Sequence, residues 1–526
     1  MVCGVAVAAF LGLVAAVVFW SGAMLAGDSA ALARVEVQPL GGTLESARAY
    51  GPDGREIPLV IRGGKLTPRT RLLPGERVSV EVVVRRPSWL GWALGKERRE
   101  RLSLRTPVAG LSDRWLTVSP AAALRVRFDQ PISSVKYRLS GGPIREIAGE
   151  GRSVIALGLL RRPAAGSVDV AALARPWERY GRTVTVSWFP ASPLPVVISR
   201  PAVGALISPV EPIRLTFSKP LADVFASKRP SFAPPLRGRW HQTDSHTLTF
   251  VPSGLGAGLA SDLHLQLPQP VGQATETGAV KNTRALDWTV PPGSLLRLQQ
   301  LLAAQGYLPV NWLPSGPAVA RTARAELSAA IDPPSGSFAW RYPNAPAELQ
   351  ALWTPGQPNQ VTRGAVMMFE HDHGLAVDAF AGPHVWQALL ADAIAGRHRN
   401  SGYSYVYVHR NIPQLLTLWH NGQVVLTSPG NTGVPAAPTQ LGTWPVFEHI
   451  PSGTMSGTNP NGSHYNDPGI RWISYFHGGD ALHAFTRASF GTPQSLGCVE
   501  LPLAVAARVW PYTPIGTLVT IETPAS

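Results

Sequence analysis

The sequence predicts a multidomain, mainly β protein with one helical interval before its β-rich C-terminal segment. Three observations predict it. A chain of 526 residues is too long for one hydrophobic core, so three to five domains are expected. Gly (51) and Pro (50) are abundant while charged residues make up only 15%, a balance that suits many short strands joined by turns. Runs such as Val78 to Val84 mix alternating with continuous apolar character, and helical periodicity is confined to one interval.

Taken in order, residues 1–33 read as a signal or transmembrane helix. Gly4 to Ala26 is apolar, carries no charge before Asp28, and is long enough to span a bilayer. No Lys or Arg precedes it, and Ala31-Leu32-Ala33 offers a cleavage site. The favoured expectation is an uncleaved anchor, with everything after Asp28 extracytoplasmic. Residues 34–107 read as a β domain. An internal echo follows: Leu124-Arg125-Val126-Arg127-Phe128-Asp129-Gln130-Pro131-Ile132 returns as Ile213-Arg214-Leu215-Thr216-Phe217-Ser218-Lys219-Pro220-Leu221. That repeat predicts two β-sandwiches, 108–194 and 195–290, and the second copy resembles bacterial Ig-like domains. With residues 34–107 they would make two to three sandwiches. In line, three would hold the C-terminal end on the order of 100 Å from the membrane.

Residues 293–397 change character. Leu295, Leu298, Leu301 and Leu302 form a helical stripe ending at Gln305-Gly306-Tyr307. Val366 and Phe369 begin a second helix that ends near His373-Gly374, and Val385, Trp386, Leu389 and Leu390 mark a third. This pattern, with Asp378 and Gly382-Pro383 at the last turn, resembles the three-helix peptidoglycan-binding module of the PG_binding_1 type. His371-Asp372-His373 is read as a polar helix end, because side chains two apart diverge on a helix and no third ligand lies nearby.

The last segment, 401–524, carries the chemistry. Cys498 and Cys3 are the only cysteines, so Cys498 has no intramolecular disulfide partner downstream of the apolar run. A lone thiol is ordinarily an inert core residue. Here it stands in Ser495-Leu496-Gly497-Cys498, fifteen residues after His483, a spacing that offers a nucleophile, a base and a tightly turning glycine. Tyr405-Val406-Tyr407-Val408, the Asn421-Gly422 turn, Asn431-Thr432-Gly433, Thr439 to Trp444 and Gly516 to Ile521 flank it. Together these residues resemble the L,D-transpeptidase (YkuD) catalytic domain over roughly 403–522. Three departures stand out. Ala484 follows His483 where the family has Gly, Leu496 precedes Gly497 where it commonly has His, and Glu500 stands where Arg is common.

The resemblance implies a cysteine-dependent acyltransferase that forms 3→3 peptidoglycan cross-links on tetrapeptide stems and releases D-Ala. It implies Cys498 as nucleophile, His483 as base, Ser495 and Gly497 in the catalytic loop, and Arg487, Tyr475 and Leu496 against substrate. Arg487 in particular would take the carboxylate-binding role that Glu500 leaves open. Alternatives are an L,D-carboxypeptidase, a protein-to-wall anchoring transferase, or a decayed domain that only binds wall. The partners expected are peptidoglycan stem peptides and glycan, and the membrane through the N-terminal helix. The net charge of +14 requires a polyanionic neighbour, but the Arg residues are scattered and no nucleic-acid motif is present, so no nucleic acid is expected. No cofactor is expected. A metal at His464, His477, Asp480 and His483 is set aside, because it would occupy the thiolate that the nucleophile needs. Pro451 to Pro468, rich in Gly, Ser and Asn, reads as a lid over the cleft or as a mobile loop with no role.

Overall fold

The computed structural model describes residues 20–119, 122–139, 142–158, 163–225, 228–275 and 279–523, together with Gly12, Val14, Ala15 and Val17. Most of the predicted span 4–26 lies outside the described residues. Among those described, no helix is long and apolar enough to cross a membrane. The end of that run is a correction. Ala23–Gly27 is a strand, paired antiparallel with Ala33–Val37 in the register Ala23↔Val37 to Gly27↔Ala33. Asp28 closes the connection by accepting hydrogen bonds from the amides of Ala30 and Ala31, both 2.7 Å. Ala31, Leu32 and Ala33 are buried at 2%, 3% and 0% exposure, so cleavage there would strip an edge strand from a packed sheet.

The N-terminal β unit is two four-stranded sheets. One carries Ala23–Gly27, Ala33–Val37, Lys65–Pro68 and Leu59–Arg62; the other carries Glu56–Ile57, Thr43–Tyr50, Arg77–Arg85 and Glu97–Arg105. Val78, Val80, Val82 and Val84 are fully buried between them, the period-two pattern of a half-buried strand. The next two units, each expected as a pair of packed sheets, instead run as one continuous sheet apiece, of five and seven strands. The sequence echo does not produce equivalent elements. Its first copy lies in the long strand Arg125–Leu139, where Pro131 sits at a bulge. Its second ends the strand Ile213–Phe217, and Pro220 starts the helix Leu221–Phe225.

The expected three-helix module is also corrected. Residues 295–395 hold five helices, Leu295–Ala304, Ala323–Ile331, Ala347–Ala351, Gln360–Asp372 and Pro383–Ala395, with a hairpin Val310–Pro314/Gly336–Trp340. The Pro-rich interval hid them, yet its Leu308, Val310, Leu327, Ala330 and Leu349 join the same core as the leucine stripe. A buried ion pair, Arg297 to Glu326 at 2.7 Å, ties the first two helices. His373 stacks on Phe369 and bonds Asp392 at 2.8 Å, while Asp372 pairs with Arg399. One continuous apolar core runs from the seven-stranded unit through these helices to Tyr405, Trp419 and Leu518 of the C-terminal domain.

That domain has nine strands: β1 (Ser404–His409), β2 (Leu415–His420), β3 (Gln423–Pro429), β4 (Gly442–Pro445), β5 (Glu448–Thr458), β6 (His464–His477), β7 (Asp480–Ala484), β8 (Val499–Leu501) and β9 (Leu518–Glu522). They form a five-stranded sheet, β3-β2-β1-β9-β4, and a four-stranded sheet, β5-β6-β7-β8. The inner faces share a core that includes Val406, Leu418, Phe476, Leu482, Val499 and Ile521. Tyr405 and Trp419 on the outer face of the first sheet pack into the helical core. The outer face of the second sheet is left for the site.

Candidate active site

Strand periodicity decides which residues meet. Leu482, Ala484, Val499 and Leu501 point into the core between the sheets, so Ala481, His483, Cys498 and Glu500 point to the opposite face. β7 and β8 are parallel, in the register Leu482↔Val499, His483↔Glu500 and Ala484↔Leu501. One residue earlier, Cys498 stands opposite Ala481, whose amide faces the sulfur, and Ala481 in turn pairs with Tyr475 of β6. The thiol packs on the small cluster of Ile470, Ile473 and Ala481, with Tyr475 and Phe485 beside it. Cys498 and His483 are thus diagonal neighbours on one face of the sheet.

His483 is 3% exposed, and its Nδ1 donates to the carbonyl of Ala484 at 2.9 Å. That bond places the proton on Nδ1 and leaves the Nε2 lone pair free to take one. Burial pushes the imidazole below the usual histidine range. Burial also pushes the Cys498 thiol up to about 12; the Ala481 amide works against this, and the carboxylates of Asp480 and Glu500 add to it. The thiol donates to the carbonyl of Gly479 at 3.6 Å. The resting pair is therefore neutral thiol and neutral imidazole.

The loop before Cys498 is fixed from within. Ser495 is 2% exposed; its hydroxyl donates to the Cys498 carbonyl at 2.5 Å and accepts from the Gly497 amide at 3.3 Å. Gly497 has φ +119°, and a Cβ there would lie 2.2 Å from Asp480 Oδ1, so only glycine fits. Leu496 is half-buried beside it. A buried cradle holds the loop from below. Asn431 Oδ1 accepts from the Gly491 amide at 2.9 Å, Gln414 makes paired bonds with Thr432, and Thr439 accepts from the Gly433 amide.

The three departures have physical accounts. Ala484 sends its Cβ into the core and orients His483 through its carbonyl, which any residue supplies. Leu496 touches no bond that positions the nucleophile. Glu500, 4% exposed, is bonded by Arg487 at 2.8 Å (Nε to Oε2) and 2.7 Å (Nη2 to Oε1). Arg487 also donates to the Gln494 carbonyl and lies over the Phe485 ring. The guanidinium expected to await a substrate carboxylate is already satisfied.

The segment expected as a lid is a hairpin rather than a loop: residues 451–458 and 464–468 belong to the paired strands β5 and β6, joined by a turn at 459–463, and Met455 packs on the same cluster as Cys498. Ser456, Gly457 and Asn466 stand in an exposed hairpin ladder rather than a loop. Burial raises the phenols of Tyr465 and Tyr475, and a smaller contribution from Cys498 places both within electrostatic reach of the sulfur. Sequence reasoning missed Tyr465, Asp480 as a neighbour of the nucleophile, and the cradle of Gln414, Asn431, Thr432 and Thr439. Asn431-Thr432-Gly433 was visible as a motif, but nothing local tells that it faces Ser495. Asp480 pairs with His477 at 3.6 Å. Among the described residues, the group with metal-ligand spacing is Glu348 of the helix Ala347–Ala351 with His409 and Glu522 of the first sheet, rather than any set including His483.

Residues 403–521 match the family model of the L,D-transpeptidase catalytic domain, YkuD. The C-terminal domain is therefore of the L,D-transpeptidase type. Solved structures with similar folds include an L,D-transpeptidase from Mycobacterium smegmatis (12% identity, 63% of this chain, 100% of that chain, TM-score 0.21). Others are the catalytic domain of the E. faecium L,D-transpeptidase (23%, 23%, 96%, 0.21) and an L,D-transpeptidase from Stackebrandtia nassauensis (20%, 34%, 89%, 0.20). Likeness at these identities and TM-scores adds nothing beyond the family match. No curated protein matches the chain.

Proposed function

We propose that the protein is a cell-wall L,D-transpeptidase that forms 3→3 peptidoglycan cross-links through a Cys498 acyl-enzyme. The observation that carries this reading is the placement of Cys498 and His483 on one face of adjacent parallel strands, with Nδ1 of His483 tied to a carbonyl. The Cys498 sulfur attacks the carbonyl between the diamino acid and the terminal D-Ala of a donor tetrapeptide, and Nε2 of His483 takes the thiol proton. That proton passes to the departing D-Ala amine as the C–N bond breaks, leaving a thioester. The side-chain amine of a second stem then attacks, gives its proton to His483, and expels the sulfur, which is reprotonated. Because the resting thiol is neutral, proton transfer accompanies attack. Tyr475 and Leu496 border the approach to the sulfur and contact the donor stem. The enzyme works outside the cytoplasmic membrane, where its substrate is. The helical segment 293–397 contributes wall contact, and the β units 34–290 hold the catalytic end within the wall.

The test is incubation of the protein with a disaccharide-tetrapeptide, alone and with an acceptor stem. Dimer formation with stoichiometric D-Ala, absent in Cys498→Ala, is the expected outcome. D-Ala release without dimer in the presence of acceptor would make the enzyme a carboxypeptidase, and neither product from folded protein would overturn the reading.

A further inference from the structure

A concentration of positive charge without ion-pair partners lies far from Cys498 along the chain. A cavity of about 380 Å³ opens between the five-stranded and seven-stranded β units. Arg114, Arg182, Arg200 and Arg214 line it, with Asp244 as the one carboxylate among the lining residues. The rest of the wall is largely hydroxyl: Ser167, Ser187, Thr185, Thr216, Thr243 and Thr247. Among the described residues, none of the four guanidinium groups has an ion-pair partner. Two are held in place all the same. Arg200 donates to the Ser167 hydroxyl across the two units, and Arg114 lies over the Trp115 ring, itself stacked on His246 at 3.9 Å. Arg182 and Arg214 are exposed at the rim.

Four like charges around one cavity repel one another unless an anion lies between them. Guanidinium forks and hydroxyls match the oxygens of phosphate or carboxylate groups, and a recess lowers the screening by salt. We propose that this cavity binds an oxyanion group, phosphate or carboxylate, of an anionic polymer, and so gives the β region a binding role beyond spacing. The ligand spans both units, because Arg114, Arg182 and Ser167 come from one and Arg200, Arg214 and Thr247 from the other. The inference is independent of the reaction at Cys498.

The test uses the whole protein with two probes, poly(glycerol phosphate) and poly-γ-glutamate, titrated at low and physiological salt. Wild type should bind at least one of them, and salt should weaken the binding. Arg182→Ala with Arg214→Ala should weaken it about tenfold or more, two charge-assisted contacts being lost. Arg99→Ala with Arg101→Ala, exposed on the N-terminal unit beside Glu81, should leave it unchanged. Preference for the phosphate polymer identifies a phosphodiester ligand, and preference for the glutamate polymer a carboxylate ligand; either supports the site. Equal weakening by the two double variants would mean diffuse charge attraction, and no binding to either polymer would remove the site. Thermal unfolding of the variants guards against misfolding, and a loss of affinity with an unchanged melting temperature is the result expected.

Discussion

Arg487 and Glu500 form a two-pronged ion pair, at 2.8 and 2.7 Å, with the Glu500 side chain 5% and the Arg487 side chain 31% exposed. The pair sits directly beside His483, since Glu500 is its register partner on the neighbouring strand. A carboxylate placed this deep would be costly alone; the guanidinium neutralises it and keeps the face beside the nucleophile free of net charge.

Removing either partner therefore has unequal effects. Arg487→Ala strands a buried carboxylate and should cost about 3 kcal/mol of stability. Glu500→Gln leaves an arginine that can turn to water and should cost about 1 kcal/mol. Replacing both with Leu should cost less than Arg487→Ala. Urea unfolding of the three variants checks this ordering. A stability-neutral Arg487→Ala that raises KM instead would show that the arginine serves the substrate.

Gly497→Ala forces a side chain into the left-handed region and onto Asp480, so the loop must shift. Displacing the nucleophile by even an ångström should slow acylation about 100-fold. Gly479→Ala is the control, because a Cβ there meets nothing within 4 Å. Stopped-flow acylation rates of the two variants should differ widely, and similar rates would mean the loop is not tightly held.

The protonation states give a pH signature. Burial holds His483 neutral to below the ordinary histidine value of 6.5, so acylation should stay level from pH 8 to about 6.5 and fall only at lower pH, as the base takes a proton. A limb centred at or above pH 7 would contradict this. Because Asp480 helps raise the thiol, Asp480→Asn should speed alkylation of Cys498 by iodoacetamide at a fixed pH.

Stability should carry a second, separate pH dependence. Glu370 is fully buried in the helix Gln360–Asp372, and burial raises its carboxyl from 4.5 to about 7. The amides of Asp378 and Ala379 donate to one of its oxygens, and the other has no partner. The folded state holds a proton that the unfolded chain releases between those values. Stability contributed below pH 4.5 is thus lost as pH rises through 7, by about 1–3 kcal/mol. Glu370→Gln should flatten the melting temperature between pH 5 and 8, and an unchanged slope would overturn the assignment.

How much of this was legible in the sequence follows from how local each feature is. Ser495, Gly497 and Cys498 lie in one four-residue stretch, and His483 sits on the strand that pairs with the one after it, so the residues of the candidate site were readable. The relation of Arg487 to Glu500 was not: both residues were visible, but only the fold of the segment after β7 brings Arg487 back to the Glu500 carboxylate. The hairpin β5–β6 was misread because exposed strands of Gly, Ser and Asn lack the apolar alternation that marks a half-buried one. The helices Ala323–Ile331 and Ala347–Ala351 were missed because proline punctuates their surroundings and each buries only a short stripe. Ala23–Gly27 was absorbed into an apolar run whose composition suits a strand as well as a helix.

The central claim is that Cys498 is an acyl-accepting nucleophile served by His483. Intact mass of the soluble protein incubated with a carbapenem tests it most directly, with Cys498→Ala and His483→Gln beside it. The account predicts one covalent adduct on the wild type, none on Cys498→Ala, and a much slower one on His483→Gln. Folded wild-type protein that keeps a free thiol and gains no mass would contradict it.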